Sequence, residues 1–288
     1  MMAQDTDTWS AWIGRETVSR DRLDEALAAR WLATFDLLAP DDGIMSQGVH
    51  FVLGTPEAPS AALGDDGHPL RDDTPQSFFP PIPLPRRMWA ASEIEFLEPL
   101  RIGAQIERVS RIVSIAEKEG SSGPLGFVTV EHFTRADGVE AIHEMQTLVY
   151  RDAVAPDAPL SPPEPSDGTF DPSAWDVHRT ITPDPRLLFR YSALTFNTHR
   201  IHYDLPYARN VERYRGLVVH GPLMASLLMQ MAEREYGDNC LKTFNFRAVS
   251  PAIADEPLHL AMRRNDAGLE LGTFDSDGRQ CVKASATL

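Results

Sequence analysis

The chain has 288 residues, of which 42% are hydrophobic and 24% charged, a composition typical of a soluble globular protein. Its formal net charge of −15 argues against a nucleic-acid partner, because phosphate binding needs a basic surface. No apolar run approaches the roughly 20 residues that span a bilayer, so no membrane partner is expected. Cys240 and Cys281 fit no disulfide or metal framework, and residues 1–15 lack the apolar core of a signal peptide. We therefore expect a cytoplasmic protein.

The first half of the chain begins with a helical pattern and continues with a β pattern. Residues 18–38 predict an amphipathic helix, since Leu23, Leu27, Trp31 and Phe35 recur every four residues, and Ser19 is a candidate cap. The Pro- and Gly-rich stretch 56–85 indicates a long ordered loop or flap. Residues 88–150 predict a meander of about four strands, with a turn at 120–126. The Pro-, Ser- and Asp-rich stretch 156–172 predicts a linker.

The second half repeats this layout. We expect a polar loop over 191–208, an apolar helix over 222–236, and strands over 243–288. The segments 94–100 and 244–252 align loosely, because each reads as a strand that ends at a proline and is followed by more strands. The sequence therefore predicts two copies of one α+β unit, each an antiparallel sheet wrapped around a central helix. The two units are expected at residues 1–155 and 173–288.

The segment with the most chemical information lies in the second half. Residues 191–204 read Tyr-Ser-Ala-Leu-Thr-Phe-Asn-Thr-His-Arg-Ile-His-Tyr-Asp, and residues 218–223 read Val-Val-His-Gly-Pro-Leu. This pattern resembles the hydratase 2 motif of the MaoC-like hydratases and dehydratases, which have the hotdog fold. The particular residues of the motif are similar to those of a subgroup that includes mesaconyl-C4-CoA and itaconyl-CoA hydratases. The resemblance implies a double hotdog fold with the active site in the second unit.

Three catalytic residues follow from this resemblance. His202 takes the place of the family's catalytic His, and Asn197 that of its catalytic Asp. A histidine can activate water and move a proton at neutral pH, whereas an amide can only orient the water. We therefore expect His202 to carry the proton transfer alone. Gly221 opens the central helix, where its N–H can stabilise the enolate of a thioester.

Several other residues near the motif are candidates for substrate binding. His199 either contacts substrate or only braces the turn, and His220 either links the loop to the helix or touches substrate. Guanidinium groups suit the phosphates of CoA or a carboxylate on the acyl group, although surface ion pairing is the alternative for each. The complete set of predicted substrate-binding residues is His199, Arg200, Tyr203, His220, Arg209, Arg215 and Arg86.

A metal site built from His199, His202 and Asp204 is a weaker alternative, since no further strong ligand recurs nearby. We expect neither a metal nor another cofactor.

The predicted function is a hydro-lyase that reversibly hydrates an α,β-unsaturated acyl-CoA thioester. By the subgroup resemblance, the substrate is mesaconyl-C4-CoA and the product citramalyl-CoA. The alternatives are an itaconyl-CoA hydratase, a (3R)-hydroxyacyl-ACP or -CoA dehydratase, a hotdog thioesterase, and an inactive acyl-CoA-binding protein. The first unit lacks a counterpart of Asn197 and His202, so we expect it to be non-catalytic and to form a wall of the acyl pocket. Pairing of chains into a homodimer stays open.

Overall fold

The computed structural model describes residues 8–120 and 123–288, and its ten strands form one antiparallel sheet. The first half contributes β1 Glu16–Arg22, β2 Arg86–Phe96, β3 Gln105–Gly120, β4 Gly123–Ala136 and β5 Val139–Arg151. The second half contributes β6 Val177–Ile181, β7 Thr243–Ala248, β8 Leu258–Asn265, β9 Gly268–Phe274 and β10 Gln280–Thr287. The strand order is β1-β3-β4-β5-β2-β7-β10-β9-β8-β6, so the second half repeats the order of the first in reverse.

The two halves meet where β2 pairs with β7. The two segments that the sequence repeat aligned overlap these strands at residues 94–96 and 244–248, and Ile94 lies opposite Phe244 in the antiparallel register. Both side chains are buried in the main core. The arrangement is the predicted α+β double hotdog, with the sheets of the two units joined into one.

The helices of the two halves correspond to one another only in part, unlike the strands. They are α1 Glu25–Phe35, α2 Pro185–Leu194, α3 Leu205–Asn210 and α4 Gly221–Tyr236. The side chain of Asp24 caps α1 by accepting from Leu27 N–H at 2.7 Å, and Asp184 caps α2 by accepting from Leu187 N–H at 2.9 Å. Each of these helices follows the first strand of its half, so α1 and α2 are counterparts. Within the described residues, no helix is long and apolar enough to cross a bilayer.

The predicted helix over residues 18–38 is wrong at its start. Residues 16–22 form β1, which pairs along its whole length with β3. The chain then turns, and the helix begins after Asp24 rather than near Ser19. Ladder hydrogen bonds to β3 outweigh the helical spacing of the apolar residues here, because helix propensity is a weak prior against tertiary pairing.

The central helix of the second unit is α4, as predicted, and its buried face includes Leu223, Leu228 and Met229. α1 is not the equivalent central helix of the first unit, because it corresponds to α2 and packs against it, with Phe35 and Tyr191 in edge-to-face contact. In the described part of the first half, no helix matches α4. A short apolar 3₁₀ turn, Val49–Val52, precedes the Pro-rich stretch instead. This leaves space over β3, β4 and β5.

Three further segments differ from the sequence expectations. The turn at 120–126 is shorter, since β4 begins at Gly123, and residues 121–122 lie outside the described residues. The expected loop 191–208 contains the end of α2 and the start of α3. The linker 156–172 packs on the motif region, because Ser161 N–H donates to Arg213 O at 2.8 Å and Arg215 N–H donates to Ser161 O at 3.1 Å.

Candidate active site

The motif forms a tight turn between α2 and α3. Phe196 has a left-handed backbone, with φ 48°, and the turn reverses the chain after α2. The Asn197 side chain then accepts from the backbone N–H of His199 at 3.0 Å. Asp204 caps α3 by accepting from Tyr207 N–H at 3.1 Å. Short polar side chains therefore satisfy the backbone at both ends of the turn and fix the direction of the residues between them.

His202 is buried in a 3₁₀ turn, Arg200–His202, between these two caps. Its Nδ1 lies 2.7 Å from the carbonyl oxygen of Val218. Because a carbonyl oxygen can only accept, Nδ1 carries the proton of the neutral ring and Nε2 has a free lone pair. Burial lowers the pKa of His202 to about 4, although the Val218 hydrogen bond opposes this shift. His202 is thus a neutral imidazole with a basic Nε2 at physiological pH.

Two other imidazoles surround His202. The His220 ring stacks on it with centroids 3.5 Å apart, and His220 Nε2 lies 2.9 Å from Ser192 Oγ. The His199 ring meets His202 edge-on, with centroids 5.6 Å apart. Burial lowers the pKa of His199 to about 2 and that of His220 well below its usual value, and neighbouring histidines add to both shifts. Three uncharged rings therefore lie together in front of α4.

A loop from the first half completes this cluster. It belongs to the Pro- and Gly-rich stretch, and its backbone binds the motif, since Arg200 N–H donates to Asp66 O at 2.8 Å. The His68 ring, on this loop, packs against His199 with centroids 4.1 Å apart and an angle of 35° between the ring planes. Its Nδ1 lies 2.9 Å from a carboxylate oxygen of Asp66. One carboxylate oxygen of Asp66 and one ring nitrogen each of His68 and His199 lie within 4.8 Å of one another.

The cluster opens into a cavity of about 1070 Å³ between the halves. From the second half, the lining includes Asn197, His199, His202, His220 and Gly221. From the first half, the lining includes His68 and side chains of β2, β3, β4 and β5. Gly221 lies at the N-terminus of α4, where N–H groups have no carbonyl partner within the helix. A Cβ built on Gly221 would have no atom within 4 Å, so the space beside it is open.

The structure brings together all three predicted catalytic residues, with His199 and His220. It does not bring the predicted arginines into the cavity lining. Arg86 pairs with Glu212 at 2.5 Å, Arg200 pairs with Asp204 at 2.7 Å, and the buried Arg215 pairs with Glu256. Arg209 is exposed, and Tyr203 is half exposed with its hydroxyl donating to Thr198 O at 3.0 Å. The placement of these four arginines and of Tyr203 therefore does not support their predicted role in substrate binding.

The alternative metal site of His199, His202 and Asp204 is not assembled either, since Asp204 binds Arg200 and caps α3.

Other basic residues line the cavity instead, namely Arg87, Arg108 and Arg151. Arg108, on β3, donates through Nη2 to His50 O at 2.8 Å and through Nε to Thr134 Oγ1 at 3.4 Å. Among the described residues, its Nη1 has no hydrogen-bond partner, and no carboxylate lies within 4.0 Å of its guanidinium. Glu144, on β5, also faces the cavity and accepts from Ser92 Oγ at 2.6 Å. Burial raises the pKa of Glu144, which favours its neutral form.

Sequence comparison identifies the family of the chain. Residues 48–254 match the family described as hydroxyacyl-thioester dehydratase type 2. The chain belongs to this family. It is 42% identical, over 97% of its length and 98% of the relative's, to mesaconyl-C(4)-CoA hydratase of Chloroflexus aurantiacus. It is 27% identical to the mitochondrial hydroxyacyl-thioester dehydratase type 2 of Schizosaccharomyces pombe, over 81% and 82% of the two chains. The predicted family and hydro-lyase class are thus confirmed.

Solved structures confirm the fold of this dehydratase-family chain. A MaoC-like dehydratase superposes with a TM-score of 0.71 at 13% identity, covering 97% of this chain and 98% of the other. HtdX of Mycobacterium tuberculosis superposes with a TM-score of 0.65 at 15% identity, covering 95% and 99%. A double-hotdog protein of M. tuberculosis has a TM-score of 0.58 at 13% identity, covering 95% of both chains.

The sequence reasoning missed the residues that the first half brings to the cavity. Asp66 and His68 lie in a stretch without periodicity, so nothing in its pattern indicated which side chains turn inward. A signal existed in the residue types, because a carboxylate often orients a histidine ring through a hydrogen bond, and Asp66 is only two residues from His68. Arg108 and Glu144 lie on strands, where side chains point alternately to the two faces of the sheet. This alternation could have indicated that both point inward. It did not indicate a cavity there, because the absence of a central helix in the first half was not predicted.

Proposed function

We propose that this protein reversibly adds water to the double bond of mesaconyl-C4-CoA (3-methylfumaryl-CoA) and forms citramalyl-CoA. The observation that carries the proposal is the hydrogen bond from His202 Nδ1 to Val218 O, which leaves Nε2 free as a base on a large cavity. The relative at 42% identity, named for the hydration of this substrate, supports the choice of acyl group.

The chemistry begins at His202. Nε2 accepts one proton of a water molecule as the water oxygen bonds to the β-carbon of the acyl group. The electron pair of the double bond moves toward the thioester oxygen and forms an enolate. The enolate then takes up a proton at the α-carbon, which completes the addition of water. Asn197 orients the water through its amide nitrogen, since its oxygen is engaged by His199 N–H.

Gly221 stabilises the enolate in this scheme. Its N–H lies in the first turn of α4, where unpaired N–H groups and the helix dipole favour negative charge. The missing side chain lets the thioester oxygen approach the backbone, because the space beside Gly221 is open. Pro222 follows and has no N–H to offer, so Gly221 is the donor at this position.

In this proposal, Arg108 binds the free carboxylate of the substrate. Arg108 lines the cavity, and among the described residues its Nη1 has no hydrogen-bond partner, so a carboxylate would gain a charge-assisted hydrogen bond there. Glu144 also lines the cavity, and burial raises its pKa, which reduces its repulsion of a substrate carboxylate. Arg87 and Arg151, on the paired strands β2 and β5, are assigned to the phosphates of CoA.

We also propose one active site per chain, at the interface of the halves. The unit over residues 1–155 supplies a wall of the cavity, and the unit over residues 173–288 supplies the motif. Association into a homodimer is compatible with this scheme and stays a prediction. Titration of the chain with a tight substrate analogue by calorimetry tests the stoichiometry, and two equivalent sites per chain would contradict the proposal.

A direct assay tests the function. The purified protein is mixed in turn with mesaconyl-C4-CoA, itaconyl-CoA and crotonyl-CoA, while enoyl-thioester absorbance and free thiol are followed. We expect hydration of mesaconyl-C4-CoA without thiol release, and a loss of about 10²-fold or more in turnover for His202→Ala. Thiol release would instead indicate a thioesterase, and a preference for itaconyl-CoA or crotonyl-CoA would indicate a different acyl group as the substrate. Absence of turnover with every thioester would contradict the proposed function.

A further inference from the structure

Asp66, His68 and His199 form a side-chain cluster that the proposed hydration does not use. One carboxylate oxygen and two ring nitrogens of these residues lie within 4.8 Å of one another. Across residues 8–120 and 123–288, they are the only group of three or more side chains of the types that bind metal ions at such a spacing. The cluster joins the two halves of the chain, since Asp66 and His68 belong to the first half and His199 to the second.

His199 is the member of the cluster that lacks a partner for its ring nitrogens. The residue lines the cavity, and only 8% of it is exposed. The hydrogen bond between His199 and Asn197 uses the backbone N–H, and neither ring nitrogen makes a hydrogen bond in the part of the chain that the structure describes. Because buried polar atoms nearly always have a partner, this ring indicates a missing ligand.

The spacing of the other two ligand atoms is close to that of a metal site. His68 Nδ1 lies 2.9 Å from Asp66 Oδ2. Zn²⁺ binds histidine nitrogen and carboxylate oxygen at about 2.0–2.2 Å, so neighbouring ligand atoms of a tetrahedral ion are roughly 3.3 Å apart. An ion can therefore replace the proton between these two atoms. The second carboxylate oxygen, Oδ1, accepts from the His68 backbone N–H at 2.9 Å and so orients the carboxylate.

Hydrogen bonds hold the loop of the first half on the motif. Gly67 has φ +88°, and a Cβ there would overlap the carbonyl oxygen of Thr198. Thr198 Oγ1 donates to Gly67 O, and Arg200 donates through its backbone N–H to Asp66 O at 2.8 Å and through Nη1 to Asp65 O at 2.9 Å. The fold itself thus brings the ligands of the two halves together, which lowers the cost of binding an ion.

The donor atoms determine which ions fit the cluster. Two imidazole nitrogens and one carboxylate oxygen suit Zn²⁺ and similar transition-metal ions, whereas Mg²⁺ and Ca²⁺ are bound by oxygen ligands. Three protein ligands leave a fourth position of a tetrahedral ion for water or a small anion. That position faces the cavity, because His68 and His199 both line it.

We propose that Asp66, His68 and His199 bind one Zn²⁺ ion per chain, and that this ion links the loop of the first half to the motif of the second. The sequence led us to expect no metal, because only the fold brings Asp66 and His68 to His199. Ion binding and thermal stability test the site independently of the proposed hydration, since neither measurement depends on turnover.

Titration of the metal-free chain with Zn²⁺ alone tests the site. After dialysis against EDTA and removal of the chelator, calorimetry should show about one strong Zn²⁺ site per chain. At a free Zn²⁺ concentration about 100 times Kd, Tm should rise by roughly 5 °C, because an ion that binds the folded state stabilises it. Mg²⁺ at the same concentration should neither bind nor raise Tm. A wild-type chain without a strong Zn²⁺ site would overturn the proposal.

Substitutions assign the ion to the three side chains. His68→Gln, Asp66→Asn and His199→Gln each keep a polar side chain of similar size but remove a strong ligand. The Zn²⁺ affinity of each variant should therefore fall about 100-fold or more, and the rise in Tm should disappear. Thermal unfolding without Zn²⁺ shows which variants are folded, and any folded variant decides the outcome. Wild-type Zn²⁺ affinity in any one of them would overturn the assignment of its side chain.

His259→Gln is the matched control. His259 Nδ1 lies 3.1 Å from His178 Nε2 near the surface, so these rings also present two close nitrogens. Among the described residues, no carboxylate completes a group of three there. We expect His259→Gln to keep the wild-type Zn²⁺ affinity and the rise in Tm. Loss of the strong site in His259→Gln would place the ion at this surface pair and overturn the proposal.

Discussion

The imidazole rings of His202 and His220 are stacked in parallel, with centroids 3.5 Å apart and an angle of 17° between their planes. Two buried imidazoles at this separation cannot both carry a charge without strong repulsion. Burial and the neighbouring His202 and His199 hold the pKa of His220 well below its usual value, so His220 is uncharged at neutral pH. The stack therefore provides a flat, uncharged support for His202 and keeps its ring in the orientation set by Val218.

The pH dependence of activity should reflect this environment. Burial lowers the pKa of His202 to about 4, although the hydrogen bond to Val218 opposes this shift. A base is active above its pKa, so kcat/KM should stay on a plateau as pH falls below 6.5 and decline only near 4. The check is kcat/KM from pH 4 to 8, with activity remeasured at pH 7 to exclude unfolding. An acidic limb centred near 6.5 would contradict the environment described for His202.

Substitution of Asn197 should separate its two tasks. Asn197→Ala removes both the brace to His199 N–H and the amide that binds water, and kcat should fall by about 10²-fold. Asn197→Asp keeps an oxygen that can accept from His199 N–H, so this variant should retain part of the activity. Steady-state kinetics of both variants provide the test. Wild-type kinetics for Asn197→Ala would show that the side chain only shapes the turn.

The double hotdog could be predicted from the sequence because its strongest features are local or repeated. The meander over β2 to β5 and the apolar helix α4 have clear periodicity, and the repeat aligned the end of β2 with β7. β1 could not be predicted in this way. Its residues also fit a helical pattern, and only the partner strand β3, some 90 residues later in the chain, decides between the two.

The residues of the site likewise divide into those that the sequence could predict and those that only the fold reveals. His202, Asn197 and Gly221 belong to one continuous segment with a recognisable spacing, so the sequence could predict them together. His68 and Arg108 come from a loop and a strand of the other half, and only the fold brings them to the cavity. The arginines close to the motif in sequence were misleading, because acidic neighbours such as Asp204, Glu212 and Glu256 bind them.

A methyl group at position 221 should affect catalysis without affecting the fold. Gly221→Ala places its Cβ in open space at the first turn of α4, and alanine favours helix, so Tm should not fall. The same methyl group lies on the cavity, where it would obstruct the approach of the thioester oxygen to the backbone N–H. We expect kcat/KM to fall about tenfold or more. Thermal unfolding and kinetics on the same preparation check this, and unchanged kinetics would place the enolate elsewhere.

Arg108 should determine the preference for an acyl group with a free carboxylate. Arg108→Met removes the unpartnered Nη1 from the cavity but keeps an apolar chain of similar length. Loss of a hydrogen bond to a charged group should lower kcat/KM for mesaconyl-C4-CoA by roughly 10- to 100-fold. Activity with crotonyl-CoA, which has no carboxylate, should change little. The matched control is Arg111→Met on the same strand, because Arg111 pairs with Glu131 at 2.6 Å and lies outside the cavity lining. Equal losses with both thioesters would show that Arg108 supports the fold through His50 and Thr134 and does not select the substrate.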